Sequence, residues 1–298
     1  MNIVKRKRGR NHWYVDTETD AKVPGVTSIV GDGLPKPALL NWAAEATADY
    51  AVNHWDELAA LPVADRLKRI KGGRYATRDE AANRGTQVHR LAERLVRGEQ
   101  VTVPAGLEGY VTSYVRFLDE FDVQPLYTEA VVYSETNRHV GTLDLIADLL
   151  LPDMPEYDDI PRTEAGYVRA LLDIKTSRSG IFGEVAVQLA PYRYSEFLIV
   201  KGDGDDEPAE YPIDMPEVAW TGAVHVTPTG YELRPVTAGP DEYRAFLYIQ
   251  QVARFMDTSR DLVGEPVYPP TTSRYELTRV DVDPAAEMAA EMPPEEPF

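Results

Sequence analysis

The sequence predicts a fold that contains both helices and strands, and three observations predict it. Apolar residues recur at helical spacing through several early segments. Beyond Phe121 the period changes to the alternation of strands, and strands and helices then follow one another to about Phe255.

The elements are expected in this order. A basic start (Lys5, Arg6, Lys7, Arg8, Arg10) runs into a short strand-like piece, and Pro24–Gly25–Val26–Thr27–Ser28 reads as a turn with helix-capping hydroxyls. A helix is expected from about Lys36 to Asn53, where Leu39, Ala43, Ala46 and Tyr50 share a face. The basic stretch Arg66, Lys68, Arg69, Lys71, Arg74, Arg78 follows, broken by Gly72–Gly73. Thr77 and Glu80 have capping-box spacing, which predicts a helix from there to about Arg97. Another helix spans Gly109–Phe121. Strands are expected at Thr128–Tyr133, Val140–Leu151 and Tyr167–Thr176, then a helix from Phe182 to Ile199. Trp220–Thr227 and Tyr231–Val236 read as a hairpin around Pro228–Thr229–Gly230, before a last helix from Pro240. There is no internal repeat and no Gly-x-x-x-x-Gly-Lys-Ser/Thr loop, which argues against an NTP-driven motor.

The composition excludes several chemistries. With 298 residues and 43% apolar content the chain has enough material for a sizeable core. It has no cysteine, so disulfides, thiolate nucleophiles, zinc–thiolate sites and iron–sulfur clusters are excluded, and a reducing cytosol is the expected home. No charged-then-apolar leader and no bilayer-length apolar run occurs, so a cytoplasmic protein without membrane contact is expected. The net charge is −18, unevenly spread. Residues 1–100 carry 17 Lys and Arg against 13 Asp and Glu, a net of +4, whereas the remainder carries 14 against 36, a net of −22. Such asymmetry points to a polyanion on the basic side. Much of the acid sits in segments that read as solvated: 153–164, the run Asp203–Glu210, and the Pro- and Glu-rich end 284–298.

Four short patterns carry chemistry. On the strand Ala170–Thr176, Asp173 and Lys175 are two residues apart and share a face among aliphatic neighbours, where a charge is costly unless paired or metal-bound. A structural ion pair at a strand end would have the same sequence. Gly141–Thr142–Leu143–Asp144 embeds a second acid in an apolar strand, either as one of two carboxylates on neighbouring strands that suit a hard cation or as a cap of backbone N–H groups beside the glycine. Gly85–Thr86–Gln87–Val88–His89 places His89 inward on a stripe of small residues, as a ligand or as a hydrogen-bonded core histidine, with Gly85 permitting close approach of another backbone. Glu93, one turn after His89, either supports the site or is solvated or paired with Arg97 at helical spacing. Gln188 and Tyr192 are one helical turn apart, with Pro191 near a kink or a helix start.

The order Gly-x-x-x-His, Gly-x-x-Asp, Asp-x-Lys, Gln-x-x-x-Tyr resembles the PD-(D/E)XK nuclease superfamily, specifically its RecB-type exonuclease branch, over Thr77–Ile199. Pro24–Ile29, Leu34–Leu39 and Asn41–Ala44 are similar to bacteriophage-encoded members, which implies a host-cell cytoplasm.

The resemblance implies an α/β fold with a restriction-endonuclease-like core, a mixed central sheet flanked by helices. It implies an N-terminal extension at 1–76, a nuclease core at 77–256 and a tail at 257–298. It implies a metal-dependent exonuclease acting on DNA, single-stranded or at duplex ends, within phage recombination, repair or replication. A recombination or single-strand-binding protein is then a possible partner. One or two Mg²⁺ or Mn²⁺ ions would be held by His89, Asp144, Asp173 and the carbonyl of Ile174. Lys175 would stabilise the transition state, and Gln188 and Tyr192 would position it. Arg66, Lys68, Arg69, Lys71, Arg74 and Thr176 are candidates for holding substrate, and Trp42 and Tyr75 for stacking on bases. Relatives with an iron–sulfur cluster use four cysteines, absent here, and the helicase of RecB is absent too. A structure-selective endonuclease of the same fold and a catalytically inactive binding module stay open as alternatives.

Overall fold

Strand alternation in this chain buries both faces of a sheet. In the computed structural model, which describes residues 3–8, 11–177, 180–201 and 210–267, β7 (Leu145–Leu149) and β8 (Val168–Lys175) form its centre. Leu145, Ala147, Ala170, Leu172 and Ile174 point to one face. They meet Val88, Leu91, Ala92 and Val96 of α4 (Val63–Val96) and Tyr114 and Phe117 of α5 (Glu108–Glu120). Ile146 and Leu171 point to the other face. They meet Val26 and Ile29 of α1 (Val26–Gly33), Val185 and Leu189 of α6 (Glu184–Arg193) and Phe246 of α7 (Pro240–Thr258). The period of two therefore decides which helices each strand residue touches.

This sheet has five strands in the order β12 (Gly230–Pro235), β11 (Trp220–Thr227), β8, β7, β4 (Gln124–Thr128). Only β8 and β11 run parallel, so the sheet is mixed. An antiparallel sheet of four strands has the order β10 (Glu210–Asp214), β9 (Phe197–Lys201), β5 (Val131–Ser134), β6 (His139–Thr142). A third sheet, β1 (Ile3–Arg8), β2 (Asn11–Asp16) and β3 (Ala21–Val23), packs Ile3, Tyr14 and Val23 against Tyr133 and Val140. The protein is thus a mixed α/β structure with helices on several sheets. Met1–Thr258 forms one compact unit and Ser259–Phe298 a second, whose described part holds a 3-10 turn at Ser259–Leu262. No helix among the described residues is long and apolar enough to cross a membrane.

Several local expectations are corrected. The two strands expected at Thr128–Tyr133 and Val140–Leu151 each break and change sheets, the first between β4 and β5 and the second between β6 and β7. The crossing points are bonded to each other: Glu129 N donates to Asp144 O at 3.0 Å and Leu143 N to Ala130 O at 2.9 Å. The helix expected to reach Ile199 stops at Arg193, and Phe197–Lys201 becomes a strand because β5 and β10 pair with it. Pro24–Ser28 is the entry to α1, whose first residue is Val26, so Thr27 and Ser28 lie inside the helix and make no cap.

The largest correction concerns α4. Gly72–Gly73 and Thr77 lie inside one helix of 34 residues, which runs through position 76/77 without interruption. Gly73 is a contact rather than a break: a Cβ there would lie 2.2 Å from the Tyr50 ring of α2 (Pro37–Asn53), so only glycine lets the two helices pack. The side chains of Thr77, Arg78 and Glu80 lie outside the described residues, as do Arg10, the acidic run at 203–207 and the end at 284–298.

Candidate metal centre and cation–carboxylate network

The paired sheet crossings explain how the acids meet. Glu129 adopts φ 49° where β4 gives way to β5, and Asp144 sits where β6 gives way to β7. Both side chains are freed from the strand pattern at the same place. His89, inward on α4 as its stripe requires, comes down on them with Nδ1 3.4 Å from Asp144 Oδ1. One donor atom each from His89, Glu129 and Asp144 lies within 4.8 Å of the others. Among the described residues this is the group with the spacing of a metal site.

Asp144 is held from behind, because Ile174 N donates to its Oδ2 at 2.7 Å. Burial opposes its charge, yet His89, this N–H and Lys175 hold its pKa below the ordinary value. Burial pulls His89 down, but the carboxylate of Asp144, followed by Asp173 and Glu129, pushes it up to about 9. Burial and the neighbouring Asp144 raise Glu129. Two half-buried acids side by side are electrostatically unfavourable without a cation, and here a protonated imidazole partly supplies one.

Asp173 belongs to an adjoining network. It is 3% exposed. Gln188 Nε2 donates to its Oδ1 at 2.9 Å, and Lys175 Nζ lies 2.8 Å from its Oδ2, an ion pair outside the geometry of a directed hydrogen bond. Lys175 also donates to Gln188 Oε1 at 3.2 Å, closing a three-membered ring of contacts. Burial raises Asp173 to about 6 against the pull of Lys175, with Asp144 adding to the rise. Tyr192 is buried beneath this network and shares a hydrogen bond with Gln188. Its hydroxyl is raised well above the ordinary value by burial and by Asp173 and Asp144.

A cavity of about 410 Å³ opens beside these groups. Gly85, Thr86, His89, Arg90 and Glu93 of α4 form one wall, and Lys5, Tyr14, Val26 and Thr27 of the N-terminal segment form the other. Lys5 Nζ donates to Thr142 Oγ1 at 2.9 Å, and the Tyr14 hydroxyl lies 2.7 Å from the same oxygen, which ties the N-terminal sheet to the strand leading into Asp144.

The structure brings His89, Asp144, Asp173, Ile174, Lys175, Gln188 and Tyr192 together. Thr176 is nearby, and a Cβ at Gly85 would meet its Oγ1 at 3.4 Å, so Gly85 faces a side chain rather than the expected backbone. Glu93 pairs with Arg97 at 2.8 Å while lining the cavity. Asp173 does not join the converging donor group, because its oxygens are turned to Lys175 and Gln188. Ile174 contributes its N–H to Asp144.

Arg66, Lys68, Arg69, Lys71 and Arg74 are not at the site. Along a straight helix they are roughly 22–35 Å from His89 at 1.5 Å per residue. Glu129, Lys5 and Tyr14 escaped the sequence reading. Glu129 looked like an ordinary strand residue, and no local pattern marks a sheet crossing. No protein-family model matches this chain, and no curated protein matches it.

Proposed function

We propose that the protein is a metal-dependent nuclease of PD-(D/E)XK type that hydrolyses DNA phosphodiester bonds, acting from an end. One observation carries the reading: four separate segments bring His89, Asp144, the Asp173–Lys175 pair and Gln188 into one connected network, of which His89 and Asp144 line the cavity. A structural ion pair would need only two of them.

The donor set fits a hard or borderline cation. Two carboxylates and an imidazole suit Mg²⁺ or Mn²⁺, and the crowding of Glu129 against Asp144 is relieved by positive charge between them. His89, Glu129 and Asp144 would hold the ion, with Asp173 close behind. A bound cation would neutralise phosphate charge and acidify a water. The protein's own groups do the rest. Ile174 N–H fixes the rotamer of Asp144. Gln188 and Asp173 fix the ammonium of Lys175. In this reading Lys175 would orient the attacking water and stabilise the charge that builds on the phosphate oxygens in the transition state. As water adds to phosphorus the P–O bond to the leaving nucleotide breaks, and that oxygen departs as an alcohol once protonated.

The test is digestion of end-labelled linear DNA and closed circular DNA with Mg²⁺, with and without EDTA, by wild type and Lys175→Ala. Metal-dependent cutting of the linear substrate, lost in the variant, is expected. Cutting that persists at the wild-type rate in Lys175→Ala would contradict the assignment. Rapid nicking of circles that depends on Lys175 would replace the exonuclease by the endonuclease alternative.

A further inference from the structure

The basic stretch of α4 has two faces with different fates. Eighteen residues separate Lys71 from His89, five turns at 3.6 residues per turn, so both side chains leave the helix on one side, about 27 Å apart. Lys68 and Tyr75 fall within about 60° of the same line at about 100° per residue. So do Gly85, Thr86 and Glu93 of the cavity wall. Arg66 and Arg69 leave from the opposite side, and there the fold uses them. Arg66 donates to the carbonyls of Leu58, Ala59 and Leu61 at 2.9, 2.9 and 3.1 Å. Arg69 lies 3.8 Å from Glu57. Gly73, also on that side, takes the Tyr50 ring.

On the His89 side, among the described residues, Lys68 and Lys71 carry no such contact. Lys68 and Lys71 are exposed, and among the described residues neither has a carboxylate partner. Tyr75 is 42% exposed. Arg74 lies over its ring at 4.8 Å from the centre and donates to its hydroxyl at 2.9 Å.

We propose that this face of α4 is a track for a nucleic-acid backbone leading into the His89 cavity. The proposal rests on the nuclease reading for its ligand. Unpaired ammonium groups in line recognise repeating phosphates without regard to sequence. The Arg74–Tyr75 pair offers a flat surface to a base. The net charge of −22 on residues 101–298 repels a polyanion from much of the remaining surface, which favours the basic helix. The span from Lys71 to His89 corresponds to about eight phosphates of a stacked strand at 3.4 Å each.

The test is anisotropy of a fluorescein-labelled 20-nucleotide DNA, single-stranded and duplex, titrated in EDTA over a series of salt concentrations. Lys68→Gln combined with Lys71→Gln should lower the slope of log affinity against log salt by about 1.4 for the single strand or about 1.8 for the duplex. Lys22→Gln combined with Arg244→Gln removes the same charge elsewhere and should leave the slope within about 0.5 of wild type. An unchanged slope in the α4 variant, or an equal fall in both, overturns the track even if the protein cuts DNA. The expected difference in a protein that does not cut DNA with Mg²⁺ would keep the polyanion track and remove the nuclease reading instead.

Discussion

Gly141 and Tyr192 approach so closely that a Cβ on residue 141 would lie 2.2 Å from Cε1 of the tyrosine ring. The contact joins the strand that leads into Asp144 to the helix that carries Gln188. Gly141→Ala is therefore expected to destabilise the protein by about 1–3 kcal/mol through overpacking. In a Tyr192→Leu background the same change should cost less, because the two residues are in direct contact. Urea unfolding of the four proteins in this cycle measures the coupling; additive costs would show that the close approach is not what selects glycine.

Lys175→Ala should lower the rate of DNA cutting by roughly two to three orders of magnitude, the usual loss for one transition-state stabiliser. The sequence alone suggests little effect on folding, since a buried charge is removed. The geometry reverses that expectation: Asp173, buried, loses its ion-pair partner and keeps only the hydrogen bond from Gln188. A loss of roughly 1–3 kcal/mol is expected. Lys175→Ala with Asp173→Asn should recover part of it in a denaturant melt without restoring cutting.

Removal of a ligand should be read first by binding. Glu129→Gln and Asp144→Asn should each weaken Mn²⁺ and Mg²⁺ affinity by roughly an order of magnitude or more, since a neutral amide is a poorer ligand for a hard cation. His89→Ala should weaken Mn²⁺ as well. Calorimetric titration of each variant decides it. Wild-type affinity in Glu129→Gln would remove that residue from the site, and full cutting in excess EDTA would remove the metal altogether.

His139 supplies a pH prediction away from the site. It is fully buried against Tyr243 and Phe246, with Nε2 3.3 Å from the carbonyl of Pro191, and burial pulls it down to about 4. A folded pKa below the unfolded value means that the unfolded chain binds the extra proton first. Stability from this group is full above about pH 6.5 and falls as pH drops toward about 4, by up to about 3 kcal/mol. The stability of His139→Phe, followed by urea unfolding between pH 7.5 and 5, should depend less steeply on pH than that of wild type. Identical slopes would refute the assignment.

The proposed requirement for a DNA end can be tested at the N-terminal wall of the cavity. Lys5 and Tyr14 wall it on the side facing α4, and they belong to the N-terminal sheet rather than to the helices of the site. Linear DNA should be shortened progressively while closed circles survive at least tenfold longer, read on a gel over a time course. Deletion of residues 1–23 should narrow that ratio if the wall enforces it. An unchanged ratio would place the selection elsewhere.

What could be read from sequence was local. Period two placed β8 and β11, and period 3.6 placed α2, α5 and the second half of α4. The elements that carry Asp173, Lys175 and Gln188 were legible, because each residue sits on a regular element whose neighbours settle its direction. Their mutual hydrogen bonds, His89 over Asp144, and the arrival of Glu129 were decided by tertiary structure. The reason is the pair of sheet crossings at Glu129–Ala130 and Leu143–Asp144: a strand that changes sheets has the same composition as one that does not, and only the partner strands choose where it bends. The same holds for α4. A Gly–Gly pair reads as a break by propensity, but the helix runs through it, and at Gly73 the missing Cβ makes room for the ring of Tyr50. Helical continuity then aligns Lys68 and Lys71 with His89 and turns Arg66 and Arg69 away.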